Sequence, residues 1–215
     1  GHSLVLASTV PPVQAYDPAF AYEVGAIVQA GFQRMYGGGP PEETDVFYYI
    51  TLYNENYEMP PLPDTPGLAE AIVEGLYKWA DAPAGPSIPA TLLFSGTAHT
   101  AAREAVAELA EHYGVAAELL SATSYKSLRE EALAAERWNR LHPSQEPRIP
   151  RVRQILAESR GPIVAVSDFM ALVPEQIQRF VPDRTFVPLG TDGMGRSDTR
   201  EALRRHFEVD TGHVV

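Results

Sequence analysis

Residues 190 to 198 read Gly-Thr-Asp-Gly-Met-Gly-Arg-Ser-Asp. They follow an apolar run, Thr185 to Leu189, and precede a helical pattern. Glycines with aspartates could cradle a phosphate or Mg²⁺. A dinucleotide loop, however, needs Gly-x-Gly-x-x-Gly after a first strand, and here the glycines fall at 190, 193 and 195, late in the chain. The simpler reading is a tight turn, with glycine supplying positive φ. Asp198 would then cap a helix by accepting the Glu201 amide.

The other polar groups form no complete catalytic set. His206, Glu208, Asp210 and His213 are ligand types, but no His-x-x-x-His pair accompanies them, and alternation past a helix end explains them equally. His99 and His112 fall along one helix and are expected at its surface. Ser95 lacks the flanks of a nucleophile elbow. Ser167-Asp168 follows a strand, where α/β sheets place ligand-facing loops, yet with no base to pair with, a helix cap is the better reading. Tyr48, Tyr49, Tyr53 and Tyr57 suggest an interface more than a base-stacking platform.

Composition sets limits on partners. The 215 residues carry a formal net charge of −11, which argues against nucleic acid, since its binding needs clustered Lys and Arg. The basic stretch Arg148 to Arg153 reads as a solvated face. Cysteine is absent, so disulfides, thiolate nucleophiles and zinc-thiolate sites are excluded. No apolar run approaches the ~18 residues of a membrane span, and no signal peptide is visible. The start, Gly1-His2-Ser3, lacks Met and is expected to be native sequence of a fragment, running on into Leu4 to Pro12.

Stepwise along the chain, the spacing of Phe20, Val24, Ile27, Val28, Gly31 and Met35 predicts a helix over 18–36, with Pro18 in its first turn. Val46 to Tyr53 is β-branched and aromatic, a strand. The proline-rich stretch that follows reads as extended linker, with a boundary near residue 60. Leu68, Ile72, Leu76 and Trp79 mark a helix, then Ala90 to Phe94 a strand. Ala102 to Tyr113 forms a helix ended by Gly114, and Ala116 to Ser121 a strand. Ser127 and Glu130 form a capping box that opens a helix to about Leu141. A short helix over 151–158, a strand at Ile163 to Val166 buried on both faces, a mostly helical Met170 to Phe180 and a strand at Thr185 to Leu189 complete the pattern. Alternating strands and helices predict an α/β fold with a mostly parallel sheet.

Several segments together resemble one family, the homodimeric-type E1 component of pyruvate dehydrogenase. They are Gly1-His2-Ser3, Ala15 to Glu23, Tyr48 to Thr51, Asn54 to Tyr57 with Met59-Pro60, Glu136 to Asn139 with Leu141 to Pro143, and Leu189 to Gly193 with Gly195 to Asp198, running into His206 to Asp210. The resemblance covers the whole chain in order. It implies the last quarter of a longer polypeptide, with residues 1–60 as the end of the pyrimidine-binding domain and 65–215 as a three-layer transketolase C-terminal-like domain. It implies decarboxylation of pyruvate on thiamine diphosphate with Mg²⁺, then reductive acetylation of the lipoyl group of E2, in a cytoplasmic homodimer.

The family's Gly-Asp-Gly metal signature and its activating glutamate would lie upstream. Residues 191 to 193 read Thr-Asp-Gly instead, so no cofactor-binding or metal-binding residue is expected in this chain. The fragment alone is expected to bind no coenzyme and to be inactive. His2 matches the active-centre histidine of the family, near the substrate adduct. An imidazole with an unperturbed pKa of about 6.5 can move a proton near neutrality. Two alternatives stay open: a dimerisation or partner-binding module, and the E1 of a sister 2-oxo acid dehydrogenase.

Overall fold

The structure, a computed structural model, describes residues 1–215. The chain opens with α1 (Ser3–Ser8) and β1 (Val13–Tyr16), which sequence periodicity did not predict. Then come α2 (Ala21–Tyr36), α3 (Pro41–Thr44) and β2 (Phe47–Ile50). β1 and β2 pair in parallel, Val13 opposite Phe47. After an extended segment follow α4 (Leu68–Glu74), β3 (Tyr77–Ala80), β4 (Ile88–Phe94), α5 (His99–Tyr113) and β5 (Val115–Ser121). The rest is α6 (Tyr125–Leu141), α7 (Arg151–Ala157), β6 (Ile163–Val166), α8 (Leu172–Glu175), β7 (Phe186–Leu189), α9 (Arg200–His206) and α10 (Thr211–Val214).

The larger sheet has strand order β3-β5-β4-β6-β7. Four strands run parallel, and β3 lies antiparallel on the edge beside β5. Successive side chains of a strand point to opposite faces, and both faces are covered. Leu93, Leu120, Ile163 and Ala165 enter a core with Leu128, Ala132, Val152 and Leu156 of α6 and α7. Leu92, Phe94, Ala117 and Leu119 enter a second core with Ala102, Ala105 and Leu109 of α5. The result is the expected three-layer α/β arrangement. Ile163 to Val166 is buried on both faces, as its unbroken apolar run predicts.

Several local expectations are corrected. α2 begins at Ala21, not 18, because the carboxylate of Glu23 accepts the Ala19 and Phe20 amides and so closes the helix start there. Glu23 is fully buried and also accepts from Tyr77 (2.7 Å) and Ser121 (2.6 Å), which fastens α2 to β3 and β5. Trp79 lies on β3 rather than on a helix; α4 stops at Gly75, whose φ is +107°. The cap of α6 is Ser124, which accepts the Ser127 amide at 3.1 Å and donates to the Ala15 carbonyl at 2.6 Å. Glu130 instead pairs with the buried Lys126. The strand expected over Val46 to Tyr53 pairs only from Phe47 to Ile50. α5 ends at Gly114 in the left-handed region, as expected.

Two substitutions rank these contributions. Leu93→Ala empties a fully buried position of the central strand and should cost about 2–5 kcal/mol. Ser124→Ala removes one helix cap and should cost about 0.5–2 kcal/mol. Urea titration of both variants is expected to give that order, with Leu93→Ala the less stable.

Candidate functional site

Chain direction creates a crevice. From β4 the chain passes through α5 to β5 on one side; from β5 it returns past β4 to β6 and β7 on the other. The carboxyl ends of β4 and β6 therefore face loops that diverge, the usual place for a ligand in an open α/β sheet. A crevice of about 290 Å³ lies there, and Tyr53, Glu55, Thr97, Asp168, Arg200 and Arg204 contribute to its walls.

Its polar groups are mutually engaged. Arg204 grips Glu55 through two nitrogens, at 3.1 and 2.7 Å, and reaches Asp168 at 3.7 Å. The guanidinium of Arg204 holds the Glu55 carboxyl below its usual range, because the charged form is the one it hydrogen-bonds. Thr97 donates to Asp168, and Arg200 donates to Asn54 at 2.8 Å. Asp168 thus bonds across the crevice. Ser167 accepts the Phe169 amide and caps no helix, which corrects the expectation for this pair.

Beneath the crevice lies Asp17, 3% exposed. It accepts from Ser95 (2.6 Å), Thr51 (2.5 Å) and Tyr53, and its amide donates to the Thr123 carbonyl at 2.8 Å. Ser95 Oγ lies 3.1 Å from Ser167 Oγ. Burial pushes the Asp17 carboxyl up to about 6, although its three hydroxyl donors pull the other way. Gly96, at φ +51°, brings its amide to the Asp17 carbonyl; a Cβ there would lie 2.4 Å from the Tyr53 hydroxyl and 2.8 Å from Asp17 Oδ1.

The segment expected to be a linker is a strap. Thr51, Tyr53, Glu55 and Tyr57 point inward, while Leu52, Asn54, Asn56 and Glu58 are exposed. Tyr57 donates to the Ala19 carbonyl and packs against His99, ring centroids 4.5 Å apart. Tyr53 and Tyr57 are thus engaged within the chain, and Tyr48 stacks on Tyr16. His99 is not at the surface. It is 2% exposed among Phe20, Phe94 and Tyr57, and its Nδ1 has no hydrogen-bond partner. Burial, with the Arg103 charge, pushes its pKa down to about 4. It lies three residues before Ala102, on the same buried face of α5. His112 is exposed, as expected.

His2 lies at the start of α1 with its imidazole exposed and engaged in no capping bond. The preceding carbonyl, of Gly1, accepts the Met170 amide at 3.1 Å. His2 is thus placed beside the loops that follow β6 and β7. The loop 190–198 makes the expected turn, but Thr199 rather than Asp198 caps α9, accepting the Ala202 amide at 3.3 Å. Asp198 accepts the neighbouring Thr199 amide instead. His213 pairs with Asp210, while His206 and Glu208 remain exposed.

No three His, Cys, Asp or Glu side chains converge as cation ligands. The carboxylates of the crevice are already committed to Arg204 and Thr97. The residues of this chain do not, by themselves, fit a Mg²⁺–diphosphate group. No helix is long and apolar enough to cross a membrane.

Known proteins share this pattern. The model of the pyruvate dehydrogenase E1 component middle domain matches residues 1–60, and that of the transketolase-like TK C-terminal domain matches residues 75–210. The pyruvate dehydrogenase E1 component of Mycolicibacterium smegmatis is 46% identical over all 215 residues, that of Escherichia coli K12 44%, and that of Pseudomonas aeruginosa 43%. The chain spans 23–24% of the length of these relatives. Among solved structures, transketolase from Leishmania mexicana aligns over 99% of this chain and 26% of its own, with TM-score 0.64 and 15% identity. A split-gene transketolase aligns over 99% of this chain and 59% of its own, with TM-score 0.62 and 17% identity. These two establish the likeness of fold.

The Asp17 site makes a pH prediction. A carboxyl raised from 3.8 to about 6 binds more protons folded than unfolded between those values. Its contribution to stability is therefore present on the acid side and lost as pH rises through about 6. The loss is on the order of 3 kcal/mol at 1.36 kcal/mol per unit. Carboxyl ¹³C NMR should place the Asp17 midpoint near 6. Urea titrations from pH 4 to 7 should show that Asp17→Asn removes this component of the pH dependence.

Proposed function

The chain belongs to the transketolase-like TK C-terminal domain family and matches pyruvate dehydrogenase E1 components from end to end, and from that membership we propose that it forms the C-terminal portion of such an E1 component. The parent enzyme decarboxylates pyruvate and passes the acetyl group, reductively, to the lipoyl group of E2. The observation that carries the reading is collinearity: two family models in the expected order, and relatives above 40% identity with no part of the chain left over.

In this reading residues 1–60 close the pyrimidine-binding domain and residues 65–215 form the C-terminal domain. The strap that begins near Thr51 supports that division, since it leaves one unit and lies across the next. Thiamine diphosphate and Mg²⁺ are held by parts of the polypeptide outside this chain, and supply the carbanion chemistry there. The homodimer partner, the lipoyl domain of E2 and a cytoplasmic setting belong to the parent enzyme.

What this chain offers the reaction is His2. Its backbone is fixed by α1 and by the Met170 amide, and its imidazole is free to face a substrate. There it would hold or deliver a proton at the former keto oxygen of pyruvate, stabilising the charge that develops on that atom.

In a polypeptide of the relatives' full length, His2→Ala should lower the kcat of pyruvate decarboxylation about 10²- to 10⁴-fold, with coenzyme affinity retained; a wild-type rate would remove His2 from the chemistry. The 215-residue chain alone, titrated with thiamine diphosphate and Mg²⁺ in a calorimeter, is expected to show no stoichiometric binding. A one-to-one isotherm would overturn the assignment of the coenzyme groups to the rest of the polypeptide.

A further inference from the structure

The imidazole of His2 makes no hydrogen bond within the chain, so its position must come from its backbone. That backbone is held from two sides. After it, the His2 carbonyl accepts the Leu6 amide at 3.1 Å, and Leu4, 6% exposed, anchors α1 in the core that also contains Val173 of α8. Before it, the Gly1 carbonyl accepts the Met170 amide. A Cβ on Gly1 would lie 2.7 Å from the Thr191 carbonyl oxygen, so this residue touches both loops.

The loop carrying Met170 is itself held by the loop after β7. Thr191 donates to the Phe169 carbonyl at 2.7 Å, and Asp192 Oδ1 accepts the Ala171 amide at 3.3 Å. Between them Gly190 lies against the same backbone. A Cβ on it would be 2.2 Å from the Ala171 nitrogen and 2.5 Å from the Phe169 oxygen, both immovable main-chain atoms. Only glycine allows the two loops to meet this closely.

We infer that Gly190 and Asp192 are positioning residues for His2, acting through the backbone of residues 169–171. The inference rests on the reading of His2 as the proton-handling group. On this reading the loop's task is to set where the imidazole stands. A displacement of about 1 Å at such a group can lower a rate on the order of 100-fold.

The test is a double-mutant cycle in the full-length polypeptide, charged with thiamine diphosphate and Mg²⁺ and assayed for pyruvate decarboxylation. Gly190→Ala and Asp192→Ala should each lower kcat, by roughly 10- to 100-fold for the former, with KM for pyruvate little changed. Asp192→Asn, which keeps the Oδ1 acceptor, should recover most of the rate. Added to His2→Ala, neither alanine substitution should lower kcat further. Should Gly190→Ala fail to fold, the Asp192 pair decides alone. Losses that add to that of His2→Ala, or a wild-type kcat in Asp192→Ala beside an impaired His2→Ala, would overturn the positioning role while leaving His2 in place. A wild-type kcat in His2→Ala would overturn the reading of His2 and this inference with it.

Discussion

One buried carboxylate joins the two parts of this chain. Asp17 lies at the end of β1, yet its hydrogen-bond donors come from the strap (Thr51, Tyr53) and from the end of β4 (Ser95). A buried acceptor without donors costs about 1–3 kcal/mol, and more when charged. Each of those three hydroxyls is therefore fixed where Asp17 needs it. Fixing them sets the course of the strap, the turn after β4 and the contact between the small sheet and the large one. The amide of Gly96 and the carbonyl of Thr123 close the arrangement on the backbone side. Glu23, six residues on, repeats the same logic, joining α2 to β3 and β5.

With that joint in place, the start of the chain can be tied to loops far away in sequence. α1 rests on the β1 end of the joint and packs beside α8, and the loops after β6 and β7 extend the ladder between those strands. The Ser167 amide bonds to the Leu189 carbonyl at 3.0 Å, and Thr191 then reaches Phe169. The placement of Gly1 and His2 is thus inherited from the parallel sheet through a short series of backbone bonds. A sheet edge set by many cooperative hydrogen bonds gives a more reproducible reference than a surface loop would.

The parts of the fold legible in the sequence are those where one periodicity dominates. The unbroken apolar run of Ile163 to Val166, the 3–4 spacing from Ala102 to Leu109 and the glycine at 114 each admit one reading. Other parts were hidden by competing signals. Leu68, Ile72, Leu76 and Trp79 keep helical spacing across a real break at Gly75, so a strand passes for a helix end. β1 is only four residues long, follows two prolines and includes Gln14, so its pattern has no length to speak with. The strap carries no clean alternation, since its inward positions Thr51, Tyr53, Glu55 and Tyr57 mix polar with aromatic residues, and the prolines beyond it weigh toward linker. His99, expected at the surface, carried a signal for burial in its three-residue spacing to Ala102. Asp17 was not, since nothing in sequence says that three hydroxyls from distant segments will converge on it.

The crevice at the carboxyl ends of β4 and β6 shows why topology alone points to the place and not to the occupant. Parallel strands leave loop amides and hydroxyls exposed there, which in many α/β sheets face a ligand. In this chain the strap fills that role. Glu55 meets Arg204 as an outside carboxylate would, bidentate and half-buried, and Tyr53 and Tyr57 flank it. A paired charge at such depth contributes little net affinity over a well-packed apolar group. Its geometry is directional, however, and one register satisfies all three contacts: Glu55 reaches Arg204, Tyr53 reaches Asp17 and Tyr57 reaches Ala19. The sheet's ligand end has become the dock for the chain's own strap, and Gly1, with the exposed His2 after it, lies against Thr191 on the wall of the same crevice.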